Sequence, residues 1–160
     1  LPEAQLDRFL LEIDIDYPDL EAERRMMLAT TGTSDVAVEA VLDPAGLEAL
    51  QKLVRSVPVG EQVVDAILRL VRAGRPDASD DPVLKERIAW GPGPRASQAM
   101  MLTARARALL DGRLAPSPDD VEALAYPILK HRMALTFGAR ADGLTLADVI
   151  GGLVERTLGA

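Results

Sequence analysis

The sequence contains no cysteine, one histidine and three lysines among 160 residues. Without cysteine there is no disulfide and no thiolate metal site, and a single histidine leaves no basis for a histidine-ligated metal. Aromatic residues are only 3% of the chain although apolar residues reach 48%. The core must therefore be built from Leu, Val, Ile, Met and Ala, which suits close helix packing. No run approaches the roughly 18 apolar residues of a membrane span. A basic start followed by an apolar stretch is also missing, so no secretory signal is read and the cytoplasm is the expected location. No G-x-x-x-x-G-K-[ST] occurs, and none of Lys52, Lys85 and Lys130 follows a glycine loop, so the chain has no phosphate cradle of that kind. A concentrated basic face is lacking too. The net charge is −7, and residues 1–45 hold 11 acids against 3 bases. This excludes general nucleic-acid binding. The acidic stretch reads as a solvated surface with negative helix starts.

The length fits one domain, or one domain with a remnant of another. The chain opens on Leu1-Pro2-Glu3 without methionine, which leads us to expect a segment of a longer protein. Phe9, Leu11, Ile13 and Ile15 alternate with Leu10, Glu12, Asp14 and Asp16, the period of a half-buried strand. Leu1 to Asp7 reads as a helix tail or a loop. After Tyr17-Pro18, Asp19 caps a helix closed by Gly32. Asp43-Pro44 starts a second helix with Leu47, Leu50 and Val54 on one face. Val57-Pro58 interrupts it, and Gly60 to Ala73 resumes with Val63, Ile67, Leu70 and Val71 at helical spacing. Gly74 to Pro82 is the most loop-like segment. Pro94 opens a helix bearing Ala99, Leu102, Ala106, Leu109 and Leu110, ended by Asp111-Gly112. Ser117-Pro118-Asp119-Asp120 starts another, with Val121, Leu124, Ala125, Ile128 and Leu129 as its stripe. Pro127 should break or kink it. Thr145, with Asp148 three residues on, caps a last helix reaching Leu158, which Gly151 and Gly152 weaken. The order is one strand followed by about five helices.

Two arginines carry the functional signal. Gly91-Pro92-Gly93-Pro94-Arg95 places Arg95 at a helix start behind a stiff turn. A guanidinium is always charged and forms forked hydrogen bonds to phosphate oxygens. The plain alternative is an exposed arginine, although the positive helix end disfavours it there. Arg8, in Leu6-Asp7-Arg8-Phe9, has the form of an arginine that stabilises charge on a transferring phosphoryl group. Its plain alternative is a pairing with Asp7 or Glu3. His131, in Lys130-His131-Arg132, reads as a cation meeting a helix dipole. Asp80-Asp81 in a loop and Asp119-Asp120 at a cap read as structural, not as metal ligands. Ser34, Ser56, Ser79, Ser97 and Ser117 lack a nucleophile-elbow context. Trp90 reads as a core anchor.

The stretch PEAQLDRF (Pro2 to Phe9), followed by a strand and Tyr17-Pro18, resembles the end of the ATPase core of MoxR-type AAA+ ATPases. GPGPRAS (Gly91 to Ser97) and ALLDGRLAPSPDDVEALAYPILKHRMAL (Ala108 to Leu135) resemble that family's lid. The resemblance covers nearly the whole chain. It implies a mainly α fold: a helical-bundle AAA+ lid over residues 18–160, with residues 1–17 a short β remnant of the core. It implies that Arg8 is the arginine finger, acting in trans on a neighbouring subunit's ATP. It implies that Arg95 is the sensor-2 arginine, reaching the γ-phosphate of its own subunit's ATP. ATP and Mg are the implied cofactors of the intact protein, with none expected in this segment, which should not hydrolyse ATP alone. The family's Walker A, Walker B and sensor-1 segments are expected upstream. The implied assembly is a homo-oligomeric ring, expected to be hexameric, that assembles or activates protein complexes. Proteins with von Willebrand factor A domains are its implied partners; nucleic acid and membrane are not. A rival from another class is a free-standing helical adaptor that binds protein and no nucleotide. Such an adaptor needs neither arginine motif.

Overall fold

The computed structural model describes residues 2–33, 37–79 and 81–159; the sequence-level readings of Ser34 and Asp80 fall outside them. The described elements are helices α1 (Glu3–Leu6), α2 (Leu20–Thr30), α3 (Pro44–Ser56), α4 (Glu61–Ala73), α5 (Pro82–Arg87), α6 (Pro94–Leu110), α7 (Pro118–Leu129), α8 (Phe137–Ala141) and α9 (Leu146–Leu158), with strands β1 (Ile88–Trp90) and β2 (Ala134–Leu135). The mainly helical class expected from the composition is the one observed.

Helix starts follow the caps written in the sequence. Asp19 and Asp43 each accept a backbone N–H three residues on, from Ala22 and Gly46, both at 2.7 Å. Thr145 and Asp148 form a reciprocal capping box. Asp120 Oδ2 accepts from the Ser117 N–H at 2.8 Å. These bonds satisfy helix-start donors that would otherwise face solvent unpaired. Gly112, at φ +73°, ends α6 in the left-handed conformation that glycine adopts most cheaply.

The core is formed by α4, α6, α7 and α9. Val63, Ile67, Leu70 and Val71 of α4 pack with Val121, Ala125, Ile128 and Leu129 of α7 and with Ile150 and Leu153 of α9. A fully buried Leu, Ile or Val contributes about 1.5–3 kcal/mol through removal of apolar surface from water. The α4 stripe expected from periodicity is fully buried, and on α7 only Leu124 is partly exposed. On α6 the buried face differs from the expected one. It is Ala96, Ala99, Met100, Thr103, Ala104 and Ala108, whereas Leu110 is exposed. Small side chains let α7 approach closely, and α3 contacts a further part of the same helix. A helix contacted on more than one side shows no single apolar stripe.

Two further expectations change. The strand over Phe9–Ile15 is not formed: residues 11–19 carry no regular secondary structure, and Ile13 and Ile15 are exposed. A strand is held by ladder partners, and among the described residues the one backbone–backbone bond from this segment to a distant part of the chain is Glu12 N–H to the Pro127 carbonyl, 2.8 Å. The β-structure lies elsewhere, in the antiparallel pair β1–β2, with Ile88 opposite Leu135 and Trp90 opposite Ala134. Trp90 is accordingly half-buried on this ribbon. Pro127 does not break α7 at once; the helix runs through it and ends two residues later in a 3-10 turn, Lys130–Arg132. The proline forfeits one bond to the carbonyl four residues back, and only two residues of helix follow it. The carbonyls left free at such an end are available to other partners.

Candidate functional site

Arg95 is the second residue of α6, and the turn before it is packed from beneath. Pro92 is fully buried. Arg75, just beyond the end of α4, donates from Nε to the Pro92 carbonyl at 2.9 Å. Gly91 and Gly93 both have negative or extended φ, so conformational freedom is not why they are glycine. Gly91 is glycine for space: a Cβ there would lie 2.3 Å from the Gly74 carbonyl oxygen. At Gly93 a Cβ meets nothing within 4 Å. The stiffness read from two prolines is thus reinforced by a contact with the end of α4 that the sequence does not announce.

The β1–β2 ribbon brings a second segment to the same place. β1 leads directly into the glycine-proline turn, and β2 follows directly on the Lys130–Arg132 turn. Arg132 is only 2% exposed. Its Nε donates to Asp7 Oδ1 at 3.1 Å, and its terminal nitrogens donate to the carbonyls of Asp7, Phe9, Leu10 and Ile128. Burial pulls the Arg132 guanidinium below its ordinary value while the Asp7 carboxylate opposes that. An arginine stays charged under such a shift.

Asp7 is therefore not the partner of Arg8. Its Oδ1 meets Arg132, and its Oδ2 lies 3.7 Å from Nε of Arg95. Arg8 is exposed, and its guanidinium makes no hydrogen bond or ion pair among the described residues. The turn carrying it is held by backbone bonds, Arg8 N–H to the Gln5 carbonyl and Phe9 N–H to the Leu6 carbonyl, both 3.1 Å. Asp7, Arg8, Phe9, Arg95, Gln98 and Arg132 line one open cleft of about 150 Å³. The two arginines singled out in the sequence thus line a single depression, together with the Asp7 carboxylate. A larger groove of about 580 Å³ lies elsewhere, beside Asp65, Arg69 and Arg72; neither Arg8 nor Arg95 borders it.

His131 is a correction to the sequence reading. It is buried, with Nε2 3.4 Å from the Phe9 carbonyl and Nδ1 without a hydrogen-bond partner among the described residues. Burial, followed by the neighbouring Arg132 charge, pushes its pKa down, so at neutral pH it is a neutral ring and not a helix-end cation. Lys130, also buried, reaches Glu12 at 3.3 Å and Asp14 at 2.5 Å. Asp120 is buried and accepts from Arg107 and Arg113. Those bonds hold its carboxylate below the usual range, the Arg113 contact most of all; it staples the α6–α7 connection.

The sequence reading missed Asp7, Arg75 and Arg132 as members of the site. One signal was available. Lys130-His131-Arg132 is bracketed by Ile128-Leu129 and Met133-Ala134-Leu135, and a charged triplet inside an apolar run implies buried, partnered charge.

Residues 82–151 match the family described as the AAA lid domain. The chain is 35% identical to Chaperone MoxR1 of Mycobacterium tuberculosis over 97% of its own length and 41% of that protein. It is 35% identical to Protein MoxR of Paracoccus denitrificans over 85% of its length and 44% of that protein. Its fold superposes on the crystal structure of a candidate ATPase from Cytophaga hutchinsonii with a TM-score of 0.88 and 28% identity, covering 99% of this chain and 48% of that one. The chain thus spans under half the length of these relatives. The chain is thus similar to MoxR proteins in sequence and to that candidate ATPase in fold, and residues 82–151 of its helical bundle match the AAA lid domain.

Proposed function

We propose that this chain is the lid-bearing part of an ATP-driven, chaperone-like remodeller of protein complexes, and that it contacts nucleotide through Arg8 and Arg95. The observation that carries this reading is their placement on one cleft around Asp7. Arg95 is half exposed, and its contact with Asp7 is long. A surface ion pair of that kind is worth about 0–1 kcal/mol, so a phosphate oxygen can take its place at little cost. The cleft fits the phosphate end of a nucleotide. It does not offer Asp7 as a magnesium ligand, because both carboxylate oxygens face arginines. Magnesium and the phosphate cradle belong, in this reading, to the other part of the site.

The sequence resemblance implied one nucleotide for each arginine: Arg8 on a neighbour's ATP and Arg95 on its own subunit's. The shared cleft favours a different division. Both arginines line the same small cleft, so we assign them to the same nucleotide, held by the adjacent subunit of a ring. Their guanidinium groups would stabilise charge on the phosphoryl group as it leaves. A lid that closes better on ATP than on its absence would let nucleotide shift the lid population. The chain alone turns over no ATP in this reading, and a partner such as a von Willebrand factor A domain protein would bind elsewhere on the assembly.

Subunit complementation in the ATPase that carries this chain tests the assignment. Arg8→Ala and Arg95→Ala rings each lose about 10³-fold or more in turnover, the scale of removing an arginine finger. Mixing either with subunits whose phosphate-loop lysine is replaced restores turnover, because some interfaces then pair an intact loop with an intact cleft. Restoration for Arg8→Ala without restoration for Arg95→Ala returns Arg95 to its own subunit's nucleotide. Unchanged turnover in both variants removes the nucleotide role.

A further inference from the structure

Arg132 uses its whole donor set on one task. Nε bonds Asp7 Oδ1, one terminal nitrogen bonds the carbonyls of Leu10 (3.3 Å) and Ile128 (2.7 Å), and the other bonds the carbonyls of Asp7 (3.1 Å) and Phe9. A guanidinium has five N–H donors in a rigid planar fork, and here each has an acceptor. Four of the five acceptors belong to residues 7, 9 and 10, which bracket Arg8 on both sides. The fifth belongs to α7, the lid's central helix. The bracket is backed by Glu12 N–H to the Pro127 carbonyl at 2.8 Å and by Lys130 to Glu12 and Asp14. Asp7, gripped by Arg132 on one oxygen, presents the other to Arg95.

We propose that Arg132 is a positioning residue that clamps the Arg8 segment to the lid, so that Arg8 and Arg95 approach nucleotide as one rigid fork. This rests on the reading of Arg8 and Arg95 as nucleotide contacts. The clamp makes any swing of the lid carry Arg8 with it, and so relays lid position to the active interface. A lysine cannot substitute. Its compact ammonium has three donors and no fixed fork, so charge is kept while the bracket opens.

The absence of cysteine makes the test direct. A nitroxide pair at Arg8→Cys and Leu110→Cys reads the Arg8 segment against α6, and a pair at Glu61→Cys and Leu110→Cys reads the lid alone. With Arg132 present both electron-spin distance distributions are narrow. Arg132→Lys broadens the first and leaves the second unchanged. Asp7→Asn, at a side chain that meets Arg132 and Arg95 and is not among the apolar core residues, broadens the first as well. A first distribution that stays narrow in either variant overturns the clamp. Broadening of both pairs in Arg132→Lys, with Asp7→Asn silent, makes Arg132 a fold-stabilising residue only and also overturns it. In the unlabelled ATPase, Arg132→Lys lowers kcat by roughly 10- to 100-fold, the scale of a small misplacement of a reacting group, with KM for ATP unchanged. A raised KM with unchanged kcat overturns the positioning role. Label broadening as expected, together with Arg8→Ala and Arg95→Ala rings of normal turnover, leaves the clamp standing and removes only the nucleotide reading.

Discussion

His131 shows how a neighbour in the chain and neighbours in space set a residue's charge. It is next to Arg132 and is buried against the Phe9 carbonyl. Desolvation comes first, then the Arg132 charge, and both push the imidazole below its ordinary value; the Phe9 carbonyl and the carboxylates of Glu12 and Asp7 oppose them and lose. Between the folded value and the unfolded value near 6.5, the unfolded chain binds a proton that the folded chain does not. Stability is therefore fully present above about pH 6.5 and falls as the pH drops through that window. The chain has no second histidine. Thermal unfolding should show a lower midpoint at about pH 5.5 than at about pH 7.5, and His131→Gln should flatten most of that slope. An equal slope in the variant would assign the pH effect to other groups.

The glycine-proline turn is where the element scale decides. Both glycines look alike in the sequence, and the structure separates them. Gly91→Ala would force a methyl against the Gly74 carbonyl and the Arg75 backbone, neither of which can rotate away. Overpacking of this kind costs about 1–3 kcal/mol. Gly93→Ala has open space around its Cβ and should leave stability nearly unchanged. Urea unfolding of the two variants checks the contrast, and equal midpoints would refute the packing account. The Gly91 variant should also move Arg95, since α6 starts from this turn. The helices themselves were largely legible. Caps at Asp19, Asp43, Ser117 and Thr145 and the stripes of α4 and α7 are local signals, fixed by residues three or four apart. The buried face of α6 was not legible, because alanines carry little hydrophobic signal and their role is to admit a neighbour. The ribbon β1–β2 was missed for a related reason. It joins residues more than forty apart, and each strand is too short to show a period.

At the scale of the whole molecule, the buried apolar residues among those described all lie at Val57 or beyond. Helices α2 and α3 contribute none, and Leu20, Met26, Met27, Leu47 and Leu50 stand exposed. The bundle should therefore fold without them. A chain of residues 57–160 is expected to unfold in one cooperative transition by circular dichroism. Its helical signal should fall by little more than α2 and α3. Loss of the transition would show that α3, which contacts α6, is integral to the bundle. The same comparison explains why the strand expected at Phe9–Ile15 did not form. Alternation of apolar and polar residues states which side chains could share a face; it does not supply a ladder partner.

The sequence alone determined the helices, their caps and the two arginines, because propensity, capping and guanidinium chemistry are properties of a residue and its near neighbours. It also carried the family resemblance. The tertiary structure decided that Arg8 and Arg95 share a cleft, that Asp7 faces Arg132 and Arg95 instead of Arg8, and that the Lys130–Arg132 turn is buried. Those facts depend on segments more than eighty residues apart, and on carbonyls that only the folded end of α7 leaves free.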